Sequence, residues 1–188
     1  MRPRKLSREQ LLLEAACCFK QHGYTGASIS LLAQACGLSK AAFYYDFSSK
    51  DALLYEILDA THQQLKHGMF QQLRKPQLPL DTAFEQIHAS AEKFFSFGGI
   101  GCLAGILSAE QPNLPQPIQD KLISIFQDWE QAFLVFFSQA ADQAQAQIWA
   151  KLAVADYEGA ILMTRIRPAA GYLDLLQQRI LQQLRSAK

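Results

Sequence analysis

Along this 188-residue chain, apolar positions recur three and four residues apart almost throughout, the spacing of one buried helix face. Ser7-Arg-Glu-Gln10 has the form of a capping box, and Leu11, Leu12, Ala15, Cys18 and Phe19 follow at helical spacing until His22-Gly23. Two short segments come next, each opened by a serine. A longer one covers residues 50–74, introduced by Ser48-Ser49 and stopped before Pro76 and Pro79. Further helices are predicted over residues 80–97, 102–110, 117–142, 145–167 and 170–186. Gly98, Gly99 and Gly101 form one joint; Pro112, Pro115 and Pro117 mark another. There is no alternating strand pattern of useful length and no internal repeat. The expectation is an all-α protein of about nine helices.

The two short segments carry the most information. Ser28 is placed to cap a helix with Ile29, Leu32 and Ala33 on its apolar face. Cys36-Gly37 ends it, glycine supplying the left-handed conformation of a sharp helix end. Leu38 fills the corner, and Ser39 caps a second helix running through Tyr45. That is a helix-turn-helix pattern, whose second helix is offered to the DNA major groove. Lys40 stands near the start of this recognition helix, Tyr44 and Tyr45 at its end, and Lys50 opens the next helix.

Charge changes the picture only when divided. The net charge is +1, yet residues 1–50 hold seven Lys/Arg against three acids, and residues 76–188 hold eight against eleven. A basic head on an acidic body is what a local phosphate-binding surface leaves in a sequence. No segment approaches the ~18 unbroken apolar residues of a membrane span. The N-terminus lacks a secretory apolar region, and Cys17, Cys18, Cys36 and Cys102 show no metal spacing. A soluble protein of a reducing cytoplasm is expected.

Residues 7–54 closely resemble the DNA-binding domain of TetR/AcrR-family transcriptional regulators. The match rests on Phe19, Gly23-Tyr24, Ile29, Leu32-Ala33, Gly37-Leu38-Ser39-Lys40, Phe43-Tyr44, Phe47, Ser49-Lys50 and Ala52-Leu53-Leu54. The resemblance implies a homodimer with one reading head per subunit, and a C-terminal helical domain that binds an inducer and dimerises through its last two helices. The expected division is a DNA-binding domain over 1–50 and a regulatory and dimerisation domain over 51–188. Helix four, shared by both, gives a path by which events in the body could tilt the head.

Within the head, Ser28, Tyr44, Tyr45 and Lys50 are expected at phosphates, fixing register without reading sequence. Lys40, beside the small Ala41 and Ala42, is the expected base reader, lysine reaching guanine O6 and N7 and alanine meeting a thymine methyl. Two positions depart from the family pattern. Asp46 replaces a common histidine or tyrosine near the DNA backbone, so it turns away towards Lys40 or Lys50, or that contact is lost. Ser30 replaces a long polar residue, which weakens base reading by the first short helix. Arg2, Arg4 and Lys5 form either a minor-groove arm that compensates or a solubilising tail.

In the body, the stretch from Gly99 to Glu110 resembles a subgroup of the family with a Gly-Cys-Leu motif, including repressors of the NemR type, which answer electrophiles and oxidants through a cysteine. The corresponding residue is Cys102. In that subgroup a lysine corresponds to Arg165, so the positive charge is kept with changed chemistry. A cysteine near a helix N-terminus with a cation close by gains thiolate character, and thiolate adds to electrophiles or is oxidised to sulfenic acid. The bland reading is a small packing residue. The alternative signal is noncovalent: Phe95, Phe126, Trp129, Phe133 and Tyr157 are candidates to line an apolar pocket, with His88 or Arg165 as polar anchor. At helical spacing, most aromatics are simply core.

Leu152, Ile161, Leu173, Leu176, Ile180 and Leu184 give the last two helices apolar stripes expected to pack on the body and on a second subunit. A two-fold dimer favours a palindromic operator. Catalysis is not expected. Glu85-Gln-Ile-His88 with Glu92 is half of a di-iron helix pattern, and the second half is missing. No metal or organic cofactor is implied. The expected partners are double-stranded DNA, a second copy of the chain, and a small-molecule inducer or reactive electrophile. A helical adaptor that never touches DNA is the remote alternative.

Overall fold

The computed structural model describes residues 6–187, so Arg2, Arg4 and Lys5 of the expected arm lie outside them. Among the described residues all regular structure is helical. The chain runs α1 (Arg8–Gly26), α2 (Ile29–Ala35), α3 (Lys40–Asp46) and α4 (Lys50–Leu65). α4 continues through a π-helical turn at Lys66–Phe70 to a last turn at Gln71–Arg74. Then come α5 (Leu80–Ser96), α6 (Leu103–Ser108), α7 (Gln116–Phe137), α8 (Gln143–Ile166) and α9 (Tyr172–Ser186). No helix among the described residues is long and apolar enough to cross a membrane.

The expected boundaries hold closely, with one correction. The helix expected to reach residue 142 stops at Phe137. Asp142 belongs to the next helix: its Oδ1 accepts the Gln145 amide at 2.9 Å and so caps α8.

The described residues form two compact units, 6–61 with 103–123, and 62–102 with 124–187. In the first, the capping box opens α1 as expected: Ser7 Oγ accepts from the Gln10 amide and Gln10 Oε1 accepts from the Ser7 amide. Leu11, Ala15, Cys18 and Phe19 are buried beneath α2 and α3, together with Leu32, Ala33, Phe43 and Phe47. α6 packs along α1. In the second unit, α9 packs on α8 and α5. Its core is a run of aromatic rings, with Trp129 5.7 Å from Phe95 and 5.6 Å from Tyr157 between centroids. Each such offset or tilted pair adds roughly 0.5–1.5 kcal/mol beyond the burial of its area.

Candidate nucleic-acid interface and regulatory core

The turn between α2 and α3 is fixed by backbone hydrogen bonds. The Ser28 hydroxyl accepts the Leu31 amide and starts α2. At its end, the Leu38 amide donates to the Ala33 carbonyl at 2.8 Å and Gly37 donates to Gln34 at 3.0 Å. Gly37 has φ +63°, so the pair of bonds is a Schellman ending that needs glycine. Ser39 Oγ then accepts the Ala42 amide at 3.1 Å and launches α3. Phe43 faces inward against Phe47, their ring centroids 5.3 Å apart. With Phe43 inward, the opposite side of α3 faces outward: Lys40, Ala41, Tyr44 and Tyr45 are exposed, Tyr45 at 85%. Ser28, Ser30 and Ser39 are exposed as well, and Ala42 is half-buried.

Lys50 is placed otherwise than expected. It is half-buried, its Nζ donates to the Tyr24 carbonyl at 2.9 Å, and the ammonium lies 4.0 Å from the centre of the Tyr24 ring. A charge spent on a carbonyl and an aromatic face is not presented to phosphate. Asp46 is half-buried, and its backbone carbonyl accepts Arg8 Nη1 at 3.0 Å.

Two anchoring groups of the head have no local sequence signal. Arg8 is one, reaching α3 and α4 at once. The other is Glu110, just beyond α6. Its two carboxylate oxygens accept the amides of Tyr24 at 2.7 Å and Thr25 at 2.8 Å. Burial opposes its charge, but the bonds from the Thr25 side chain and the two amides, with Lys50 nearby, outweigh this and hold the carboxyl below its usual range. Tyr24 itself donates to Asp51 Oδ1 at 2.6 Å. Burial, then this bond and the negative charges of Asp51 and Glu110, push its phenol up to about 12.

In the second unit, His88, Phe95, Trp129, Phe133 and Tyr157 come together and are all buried. They pack ring against ring: Tyr157 stands 5.6 Å from His88 and 5.9 Å from Phe133 between centroids. Phe126 is half-buried beside Trp129. Arg165 does not join them; it is exposed on α8. The Tyr157 hydroxyl lies 2.7 Å from His88 Nδ1. Burial drives His88 down to about 4, against a weaker upward pull from Asp174, so the imidazole is neutral at pH 7. In the tautomer where the hydroxyl donates to Nδ1, the ring proton is on Nε2, which lies 3.7 Å from Glu92 Oε1. That nitrogen and Trp129 Nε1 are buried without a hydrogen-bond partner.

Cys102 has other surroundings than those expected. It is 8% exposed, and its thiol donates to the Glu158 carboxyl. One neighbour is thus an acid. Burial pushes the Glu158 carboxyl up, and the thiol bond works against that.

The dimer stripe also needs correction. Ile161, Leu173, Leu176, Ile180 and Leu184 are buried inside the subunit, where α9 lies on α8 and α5, so little of their surface is left for a partner. Leu152 alone of the expected six is exposed. It belongs to a different row on α8: Ile148, Leu152, Ala155, Gly159, Leu162 and Ile166, all exposed, with Leu162 at 57% and Ile166 at 64%. Their separations alternate between four and three residues, the seam of a helix that packs lengthwise on another.

The sequence comparisons agree with this geometry. Residues 11–57 match the bacterial regulatory proteins of the tetR family, and residues 79–179 match the LmrA/YxaF-like transcriptional regulator C-terminal domain. The chain belongs to the TetR family of transcriptional regulators. A curated relative, the HTH-type transcriptional repressor DhaR of Mycobacterium sp. (strain GP1), is 24% identical over 85% of this chain and 82% of its own. A TetR transcriptional regulator from Legionella pneumophila shares the fold with a TM-score of 0.83 at 18% identity, covering 97% of this chain and 98% of that one. The reduced form of E. coli NemR does so with a TM-score of 0.76 at 21% identity, covering 92% and 94%. At these identities the structural likeness speaks for the fold. The matching family models and the curated relative are those of transcription regulators.

Proposed function

We propose that this TetR-family chain is a homodimeric repressor that binds a palindromic operator and leaves it when an apolar small molecule enters the second unit. The single observation that carries the reading is the division of α3 into two sides: Phe43 is wholly buried, while Lys40, Ala41, Tyr44 and Tyr45 stand exposed behind a Schellman turn. In this reading Lys40 and Ala41 meet base edges, and Ser28, Tyr44 and Tyr45 meet phosphates. Ser30 and Ala42 flank that surface. Residues 1–50 carry DNA reading, and residues 51–188 carry regulation and dimerisation. The α8 row centred on Gly159 is the dimer seam, its small residues allowing two copies of α8 close approach.

The inducer binds noncovalently. Two buried nitrogens that make no hydrogen bond, His88 Nε2 (3.7 Å from Glu92 Oε1) and Trp129 Nε1, stand beside aromatic rings and suit an apolar molecule bearing a hydrogen-bond acceptor. A covalent switch at Cys102, as in NemR-type repressors, is the weaker reading, because that sulfur is buried and bonded to an acid.

The test is footprinting on DNA flanking the protein's own gene, with wild type and Lys40→Ala. A protected inverted repeat that weakens in the variant is expected. Protection indifferent to Lys40, or no protection at concentrations that saturate nonspecific binding, would count against the reading.

A further inference from the structure

Arg8 is the first residue of α1, and the bonds its guanidinium makes run to the body of α4 and to the last residue of α3. Nε donates to Glu56 Oε1 of α4 at 2.8 Å, and Nη2 donates to Glu56 Oε2, a two-pronged pair. Nη1 donates to the backbone carbonyl of Asp46, the last residue of α3, at 3.0 Å. The guanidinium plane lies 4.2 Å from the centre of the Phe47 ring, and Phe47 is buried in the joint between α3 and α4. α3 has only seven residues, too few to hold an orientation by its own hydrogen bonds. Its outward side makes no contacts that fix it, since those residues are exposed.

From this we infer that Arg8 is a positioning residue of the recognition helix: it fixes the C-terminal end of α3 against α1 and α4 and so sets the angle at which Lys40, Tyr44 and Tyr45 meet DNA. The inference rests on the DNA-binding reading above and adds a residue to it. It also assigns this cation a structural task, because each of its three nitrogens donates a hydrogen bond within the protein. Planar, forked donors are what the site uses, and a lysine has none.

Two substitutions separate positioning from a phosphate contact. Arg8→Lys keeps the charge, so a phosphate contact would survive it; a positioning role would lose about threefold to tenfold in affinity for the selected operator, with the salt dependence unchanged. Glu56→Gln makes the head more positive, so simple electrostatics requires tighter binding; positioning requires weaker binding, because the fork loses its partner. Both are measured by fluorescence anisotropy at several salt concentrations, well below the thermal midpoint of each variant. A Glu56→Gln protein that binds as tightly as wild type or more so would overturn the inference. So would an Arg8→Lys protein of wild-type affinity, or a fall of about one in the salt slope on Arg8→Ala.

Hydrogen exchange on the DNA-free protein decides the matter independently. The Phe47 amide, bonded to the Phe43 carbonyl at 2.8 Å, should exchange faster in Arg8→Ala while the Cys36 amide in the turn after α2 is unchanged. Unchanged exchange at Phe47 would refute a positioning role. If wild type bound no DNA while Phe47 exchange did respond, the DNA-binding reading would fail and the anchoring of α3 by Arg8 would stand.

Discussion

Glu110 is pressed against Gly23. A methyl group built on Gly23 would stand 2.1 Å from Glu110 Oε1, and Gly23 has φ +68°, so both space and backbone conformation reserve the position for glycine. The carboxylate that fills the gap holds the amides of Tyr24 and Thr25, at the kink where α1 makes its last turn. Gly23→Ala should therefore cost about 2 kcal/mol, from the left-handed conformation and the displaced carboxylate together. Glu110→Gln should cost about 1 kcal/mol, since an amide accepts one of the two bonds and opposes the other. Denaturant unfolding of the two variants checks both values.

Lys40 and Lys50 should separate in their effects. Lys40→Ala removes an exposed cation and the expected base reader, so base preference relaxes and the salt slope falls by about one per head. Lys50→Ala removes the bond to the Tyr24 carbonyl and the contact with its ring. Its effect should fall on the stability of the head, with the salt slope unchanged. Salt titrations of DNA binding, run beside thermal melts, distinguish the two.

Protonation of His88 should destabilise the fold below neutrality. Its folded value of about 4 lies under the ordinary 6.5, so between those limits the unfolded chain binds more protons than the folded one. The stability contributed by neutral His88 is complete above pH 6.5 and is lost as pH falls towards 4, reaching about 2 kcal/mol at pH 5. Wild type and His88→Gln, unfolded at pH 7 and pH 5, should differ in this pH dependence by about that amount.

Leu162→Glu should dissociate the proposed dimer while leaving the subunit folded, because the side chain is exposed and belongs to the proposed α8 seam. Leu176→Ala should do the reverse, unfolding the subunit by about 2–5 kcal/mol through a cavity under α9. Analytical ultracentrifugation and thermal melts of the pair check the assignment.

Cys102 should react slowly. At 8% exposure and hydrogen-bonded to Glu158, it should alkylate with iodoacetamide at least about tenfold more slowly in the folded protein than in urea. Peptide mass spectrometry gives the rate, and labelling as fast as an exposed thiol would restore the cysteine switch.

The all-α fold and most helix limits were legible because they depend on local chemistry: the Ser7 box, the Ser28 and Ser39 caps and the glycine at 37 each act within a few residues. The outward set on α3 followed from Phe43 and Phe47 by helical period alone. What escaped was long-range. Arg8 meets Glu56 across 48 positions and Glu110 meets Tyr24 across 86, and nothing near either residue announces its partner. Lys50 looked like a phosphate contact because sequence gives a charge without its direction. The dimer stripe failed for a related reason. α8 and α9 both carry more than one apolar row, and only packing shows that Leu173, Leu176, Ile180 and Leu184 are used up inside the subunit while Ile148, Leu162 and Ile166 are left outside.

In vitro selection from a random pool of duplex DNA tests the central claim most directly, since it needs no knowledge of the operator. The account predicts an enriched inverted repeat, with half-site centres about one turn of DNA apart or somewhat more, bound by two subunits and lost in Lys40→Ala. A pool that emerges with no enriched motif at low salt would contradict it.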